Sequence, residues 1–386
     1  MRPTKSVRPD QEVPANISRR DTLRMLAGAS ALWAVGANAK TDEPGQRANS
    51  LTWFRNSRFG LFIHYGLYSQ MGHGEWVMLK EKVPLGQYER LKMTFQPDRF
   101  DANRIAEMAA GAGMRYITLT AKHHEGFCLF RTRQTSYNST DSPARRDLVN
   151  ELAEACGKRR LKLFLYYSMG ADWHHPYFCD PSAGWNFYRP AYAVKPAQYR
   201  WKKDVDFRIY IEYAHAQLHE LLTQYGPLGG IWFDPLMGYY ARPDLFPLDK
   251  TYALIRGLQP DCLVSFKQGA TGAEDFAAPE RKTAGIQTYD SIAPERREHA
   301  REVADRAWSR NRTKPMEICD TLQPGAWGYD SRDDGRHRKA PEVIAMLKSA
   351  REQNANLLLN TGPLPDGSIH PEDVATLREV GATWHG

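Results

Sequence analysis

The chain has 386 residues, 42% hydrophobic and 25% charged, which supplies apolar material for a substantial core and argues against disorder over most of the length. Of the formal charge of +7, residues 1–39 carry +3, with six of the 52 Lys/Arg and only three of the 45 Asp/Glu, and the near balance of the rest implies no nucleic-acid partner. A mean hydropathy of -0.60, with no apolar run near the roughly 18–20 residues of a membrane span, argues against an integral membrane protein.

In chain order, the first readable segment is Ser18-Arg19-Arg20-Asp21-Thr22-Leu23-Arg24. An arginine pair there precedes a mildly apolar stretch, Met25 to Val35, and a small-x-small pattern at Ala37-Asn38-Ala39. This resembles a twin-arginine signal peptide, with Thr22 where that motif usually has a large apolar residue. The expectation is a leader over 1–39, a mature domain over 40–386, and a periplasmic or secreted protein exported already folded.

Beyond the leader, strands and helices alternate. Phe59 to Gly66 is a short apolar run bounded by glycines, and Asp101 to Ala112 has helical spacing of Ile105, Met108, Ala109 and Ala112 behind a capping Asp101. The pattern continues with strands at 116–120, 161–167, 230–233, 263–266, 316–319 and 356–360. Helices are expected at 147–159, 205–225, 248–258 and 341–354, with a last one from Pro371; further strands are suggested near Ile286. Continuous apolar strands separated by amphipathic helices are the pattern of a covered parallel sheet. Seven or eight such units predict an α/β fold, a (β/α)8 barrel in a single catalytic domain, with an open doubly wound sheet as the alternative. No GxGxxG opens a helix after the first strand, so no dinucleotide site is visible.

In such a barrel the functional positions lie at the C-terminal ends of strands. His64 ends the first strand, His123-His124-Glu125 follows the second, Tyr166-Tyr167-Ser168 and Asp172-Trp173 follow the third, and Asp234 closes Ile231-Trp232-Phe233. Asp234 stands out, because a carboxylate directly after three apolar residues costs free energy unless it is hydrogen-bonded or used. Ten Trp, 19 Tyr and 15 Phe add a lean toward carbohydrate, whose rings suit flat apolar faces. The five cysteines are widely spaced with no CxxC pair, which reads as isolated buried thiols. HxH and HExxH are absent and strand alternation sends His123 and His124 in different directions, so neither a catalytic metal nor a cofactor is expected.

Seven ordered motifs resemble the family 29 glycoside hydrolases, the α-L-fucosidases. They are Phe59-Gly60-Leu61-Phe62-Ile63-His64-Tyr65-Gly66, Lys122-His123-His124-Glu125-Gly126-Phe127-Cys128, Arg146-Asp147-Leu148-Val149, Tyr166-Tyr167-Ser168, Trp232-Phe233-Asp234, Trp327-Gly328-Tyr329 and Asn356-Leu357-Leu358-Leu359-Asn360, with Trp53-Phe54 and Glu75-Trp76 alongside. The resemblance implies a barrel that hydrolyses terminal α-L-fucosides of oligosaccharides or glycoconjugates with retention. It implies Asp234 as nucleophile and Glu280, in Asp275-Phe276-Ala277-Ala278-Pro279-Glu280, as acid/base, with Glu274 as the alternative. By the same resemblance, His64, His123 and His124 hydrogen-bond the sugar, Tyr166 lies near the nucleophile, and Glu75 with Trp76 bounds the pocket.

Two departures qualify the resemblance. Lys267 stands where many members carry a sugar-contacting Arg, and a lysine lacks the planar bidentate contact, which opens L-galactose or a sulfated fucose as the sugar. Many relatives also carry a C-terminal β-sandwich, which this sequence does not show before Gly386; the expectation is a more open site or one completed by an oligomer. A sugar-binding barrel without turnover is the alternative reading, and a metal-dependent hydrolase a third.

Overall fold

A computed structural model describes residues 44–180, 189–281 and 292–384, with side chains from residue 47 onward; the expected leader and the strands expected near Ile286 lie outside these. The elements, in order, are α1 (Pro44–Ser57), β1 (Phe59–Ile63), α2 (Ala102–Gly111), β2 (Tyr116–Lys122), α3 (Leu148–Lys158), β3 (Lys162–Ser168), α4 (Phe207–Gln224), β4 (Gly230–Asp234), α5 (Leu248–Leu258), β5 (Leu263–Phe266), α6 (Arg297–Asn311), β6 (Met316–Thr321), α7 (Ala340–Glu352), β7 (Ala355–Thr361) and α8 (Pro371–Thr383), with short helical turns between them. The caps read from sequence are made: Asp101 accepts from Arg104 N at 3.0 Å and Asp147 from Asn150 N at 3.0 Å, satisfying N–H groups that a helix start leaves open. Among the described residues no helix is long and apolar enough to cross a membrane.

The seven strands form one parallel sheet in the order β5-β4-β3-β2-β1-β7-β6. The gap between β5 and β6 is filled by the irregular segment Asp275–Arg281, which acts as an eighth stave. On one side Asp275 N donates to Val264 O and Ala278 N to Lys267 O, both at 2.7 Å. On the other side, Glu317 N donates to Ala277 O at 2.8 Å, Cys319 N to Pro279 O at 3.2 Å and Arg281 N to Cys319 O at 2.9 Å, with parallel bridges Ala277–Met316 and Glu280–Cys319. The ring is therefore closed, and no helix separates β5 from this stave. The stretch read as an acid/base loop is a wall of the barrel.

Strand parity divides the core in two. Residues Leu61, Ile63, Ile117, Leu119, Leu163, Leu165, Ile231, Phe233, Val264, Phe266, Leu357 and Leu359 pack outward with the helices. Their alternates Phe62, Tyr116, Phe164, Tyr166, Trp232, Leu263, Phe276, Ala278, Cys319 and Leu358 fill the interior. Phe276 and Ala278 obey the same alternation, which carries the stave's next inward position to Glu280. Gly60 is required on the inward side of β1, since a Cβ there would lie 2.4 Å from the Tyr116 ring.

The helix α1, whose residues show no apolar periodicity, plugs the N-terminal end of the barrel. Phe54 enters the interior, with ring centroids 4.3 Å from Phe276, 5.8 Å from Tyr116 and 5.9 Å from Phe164. Asn356 of β7 ties the plug down, donating to Phe54 O at 2.8 Å and accepting from Arg58 N at 3.1 Å. Also absent from the sequence reading is α6, whose buried stripe, Ala300, Val303, Ala304 and Ala307, is built mostly of alanine. Phe54→Ala is expected to cost about 3–5 kcal/mol, read as a lower urea midpoint with an unchanged slope; a midpoint equal to the parent's would show that the plug does not support the barrel.

Candidate active site

Asp234, the last residue of β4, projects into the C-terminal mouth. Tyr166 of β3 donates its hydroxyl to Asp234 Oδ2 at 2.8 Å. The other oxygen, Oδ1, is buried without a directed hydrogen bond and faces Lys267 Nζ at 3.1 Å. Lys267 also pairs with Glu280 Oε1, so one ammonium touches both carboxylates. The backbone around Asp234 is fixed as well: Met169 N and Gly170 N donate to Asp234 O at 2.8 and 3.0 Å, and a Cβ at Gly170 would lie 2.0 Å from Pro235 O.

Glu274 has a different place. It is buried outside the barrel wall, where Tyr252 of α5, Asn311 of α6 and the backbone N–H groups of Thr271 and Gly272 donate to it at 2.7–3.0 Å. Burial pushes its carboxyl up, but these donors outweigh it and hold the group below its ordinary value. Among the described contacts it meets neither Asp234 nor Lys267.

Three histidines line the opposite side. His64 Nδ1 lies 2.7 Å from Asn360 Oδ1; Asn360 Nδ2 is committed to Thr321 Oγ1 and Trp327 O, so His64 Nδ1 carries the proton and Nε2 the lone pair. His124 Nδ1 lies 2.7 Å from Ser168 Oγ, whose only proton goes to Ala171 O at 2.6 Å, so His124 also donates through Nδ1. Its Nε2 lone pair stands 3.7 Å from Asp234 Oδ2, too far for a hydrogen bond. His123 Nδ1 is buried with no partner among the described residues, and its ring stacks on Tyr166 at 5.4 Å. Burial drives the basicity of all three down, His64 to about 3 and His123 and His124 well below the usual value. The site thus presents neutral imidazoles, each with one donor and one acceptor, suited to vicinal hydroxyls.

The expectation that His123 and His124 point apart is corrected. Their centroids are 4.0 Å apart, because the β2–β3 register slips between Thr120 and Lys122 and both histidines lie past the strand end, where alternation no longer holds. The turn is held from behind by a buried ion pair, Lys122 Nζ to Asp172 Oδ2 at 2.7 Å. Asp172 also takes His174 N and His175 N at 3.1 and 2.7 Å. Trp173 N donates to His124 O at 2.7 Å, and Trp76 sits against both, 4.9 Å from the His124 ring and 5.5 Å from Trp173. Glu75 is buried and accepts Trp327 N and Gly328 N, both at 2.9 Å, which brings the Trp327 ring to 5.3 Å from His64.

Sequence reasoning missed three supports. Asn360 carries the same signal as Asp234, a polar residue closing an apolar strand. The Lys122–Asp172 pair joins residues 50 apart and has no local signature. Glu317, inward on β6, accepts Trp232 Nε1 at 3.0 Å and the Tyr116 hydroxyl at 2.5 Å; Trp232 in turn stacks on Tyr166 at 5.5 Å and lies 5.4 Å below Lys267 Nζ. The inward parity of a glutamate within a strand marked it, but only once β6 was placed.

Fold and site together define a TIM-like α/β barrel of seven strands and one irregular stave, short of the eight β/α units expected, with a carboxylate pair and a lysine at its C-terminal mouth. The chain belongs to the alpha-L-fucosidase family, whose sequence profile matches residues 29–385. It is similar to the solved alpha-L-fucosidase isoenzyme 1 from Paenibacillus thiaminolyticus, at 33% identity and a TM-score of 0.66 over 87% of this chain and 75% of that one. It is also similar to the alpha-L-fucosidase AlfC from Lactobacillus casei in complex with alpha-L-fucose product, at 27% identity and a TM-score of 0.68 over 86% and 98%. The plasma alpha-L-fucosidase of Homo sapiens is 27% identical over 351 residues, 86% of this chain and 66% of that one. The curated relatives are longer, and the chain spans 64–68% of their length.

Burial pushes the Glu317 carboxyl up to about 7. Between its ordinary 4.5 and that value the folded protein holds a proton that the unfolded chain releases, so this group's contribution to stability is lost as pH rises through the window. Glu317→Gln cannot ionise and is expected to shrink the fall in unfolding free energy between about pH 5 and about pH 8 by about 2–3 kcal/mol. Urea titrations at both pH values check this, and an unchanged fall would refute it. Glu125, raised likewise to about 7, keeps a residual slope in both proteins.

Proposed function

We propose that the protein is a retaining exo-glycosidase that hydrolyses terminal α-L-fucosides, or a closely related L-sugar, through a covalent glycosyl-enzyme intermediate. The observation that carries this is the single ammonium of Lys267 in contact with both Asp234 and Glu280. Two carboxylates that meet the same ammonium stand close together, which suits the roughly 5–5.5 Å separation and direct attack of a retaining pair better than the wider, water-admitting gap of an inverting one. The family membership and the fucose-bound solved relative support the sugar.

In this reading Asp234 Oδ1, free of directed hydrogen bonds, attacks the anomeric carbon while Tyr166 steadies Oδ2. Glu280 protonates the departing oxygen and then activates water for the second step. The neutral His64, His123 and His124 read the sugar hydroxyls, and Trp76 and Trp327 bound the ring. Lys267 is positioned to meet charge on either carboxylate as it changes through the two steps.

Asp234→Ala is expected to fold and to lose at least about a thousandfold in kcat/KM, with azide restoring turnover as the inverted glycosyl azide. Ordinary kinetics in the folded variant would remove Asp234 from the role. Glu280→Ala should lose far more on a disaccharide than on an aryl fucoside with an acidic phenol, because the missing proton matters only for a basic leaving oxygen. Glu274→Gln should lower thermal stability with no such split. If Glu274 shows the split and Glu280 does not, the assignment is reversed; if neither does, a sugar-binding barrel without turnover is the better reading.

We also propose that residues 1–39 are a twin-arginine leader and that the enzyme works in the periplasm or outside the cell. The support is the arginine pair, the apolar stretch and the Ala37-Asn38-Ala39 pattern, although the family match already begins at residue 29. Mass spectrometry of the exported protein should find a first residue near Lys40, and Arg19→Lys with Arg20→Lys should abolish export. An exported chain that keeps Met1 would overturn the leader.

A further inference from the structure

A second cluster of ligating side chains lies where the β6–α7 loop meets the start of α8. The loop contributes Asp334 and His337, the turn before α8 contributes His370, and one ligand atom from each lies within 4.8 Å of the other two. His337 is 2% exposed. Its Nδ1 lies 2.6 Å from Asp373 Oδ1, and the other oxygen of that fully buried carboxylate accepts the Thr361 hydroxyl at 2.6 Å. A carboxylate only accepts, so Nδ1 carries a proton and Nε2 is the nitrogen left for a ligand; burial lowers the basicity of this ring, but the Asp373 hydrogen bond and the surrounding carboxylates outweigh it and hold it above its ordinary value, so an ion at Nε2 competes with a proton. That Nε2 is buried and has no hydrogen-bond partner among the described residues, a cost that calls for a ligand. The rings of His337 and His370 stack at 4.3 Å, and His370 Nε2 stands 3.4 Å from Asp334 Oδ1.

We propose that Asp334, His337 and His370 form a structural site for a divalent transition metal of the zinc class, with Asp373 as the carboxylate that orients His337. Two imidazole nitrogens and one carboxylate oxygen are zinc-type donors and are poorly matched to calcium or magnesium, which take oxygen ligands. A histidine ligand whose other nitrogen donates to a carboxylate is the usual support of such a site. Tetrahedral bonds of about 2.0–2.1 Å set neighbouring ligand atoms about 3.4 Å apart; the His370–Asp334 pair is already at that distance, and the exposed Asp334, whose other oxygen accepts a long 3.3 Å hydrogen bond from the Tyr329 hydroxyl, must turn toward His337 to complete the site.

Two features oppose the ion and are answered locally. The N-terminus of α8 presents a partial positive charge, but the Asp373, Glu372 and Asp334 carboxylates all act on His337, and the Lys339 ammonium is paired to Glu372 at 2.6 Å. His370 Nδ1 accepts the Glu372 N–H at a long 3.3 Å. Ligation through Nε2 moves the ring proton to Nδ1, which gives up this cap of α8 and leaves Nδ1–H 3.9 Å from Glu372 Oε1, an attraction between charges and not a hydrogen bond. Metal and proton therefore compete for these rings, and affinity should fall as pH drops. The same loop carries Tyr329, stacked on His370 at 6.2 Å, next to the Trp327-Gly328 pair that Glu75 holds, so the ion would brace one wall of the mouth without entering the chemistry.

The test uses tag-free full-length protein, chelator-treated and desalted, with zinc chloride as titrant and cobalt(II) as a spectroscopic probe. One equivalent of zinc should be retained and should raise Tm, cobalt should give the visible absorption of a four-coordinate site, and kcat on an activated fucoside at 25 °C should be the same with and without metal. Asp334→Asn, at an exposed position that leaves the fold intact, and His337→Gln should each weaken zinc binding at least tenfold and abolish the Tm response. No retained zinc, or equal binding by parent and Asp334→Asn, would overturn the site. A kcat that needs zinc would overturn its structural role. Metal content and Tm are read without glycosidase turnover, so failure here leaves the fucosidase reading untouched, and the reverse.

Discussion

Charge inside a barrel is the constraint from which this site follows. The interior offers little water, and two carboxylates facing each other across it repel unless a cation stands between them. Lys267 supplies that cation from the end of β5, and its neighbours on either side of the ring, β4 and the irregular stave, supply Asp234 and Glu280. The three are brought together by adjacency in the ring: the stave must hydrogen-bond to both β5 and β6 for Glu280 to stand beside Lys267. A helix inserted between β5 and the stave, as elsewhere in the barrel, would not by itself separate them, but loss of the backbone pairing would.

Beneath the charged layer the interior is aromatic, and this sets how the polar groups behave. Tyr166 and Trp232 stack under Asp234 and Lys267, Phe62 and His64 continue the layer, and Glu317 receives both the indole and the Tyr116 phenol from below. Low local dielectric strengthens each of these hydrogen bonds and makes an unpaired group costly. It also keeps the histidines neutral, so the wall of the mouth recognises by hydrogen bonding while formal charge is confined to the carboxylates and Lys267. Behind it, Lys122 and Asp172 form a buried pair whose remaining acceptor capacity is taken by backbone N–H groups, the condition under which such a pair holds geometry.

Much of this was legible in the residues. Each of the strands placed by short apolar runs is present, and the polar residues closing them, His64, Tyr166 and Asp234, do converge. What escaped was of three kinds. The eighth stave has no strand pattern because Asp275-Phe276-Ala277-Ala278-Pro279 takes its hydrogen bonds irregularly, one of them through the Asp275 side chain to Val264 N at 2.8 Å. His123 and His124 lie just past the end of β2 and across a slipped register, where the alternation that sends neighbours to opposite faces no longer applies. Supports such as Asn360 for His64, or Glu75 for Trp327, join residues hundreds of positions apart, where spacing carries no information.

The ring order places β1 between β2 and β7, so the first strand is sealed by the last. Leu61 is registered with Leu359, and His64 is held by a residue 296 positions later. Contacts of such sequence separation are slow to form, because the loop they close must be ordered before they repay it. During synthesis the first four strands can pair with one another, yet their inner face stays open along β1 until the C-terminal strand leaves the ribosome. The pocket is thus a late product of folding: a ribosome-bound chain lacking β7 holds Asp234, Lys267 and Glu280 without the asparagine that fixes the tautomer of His64.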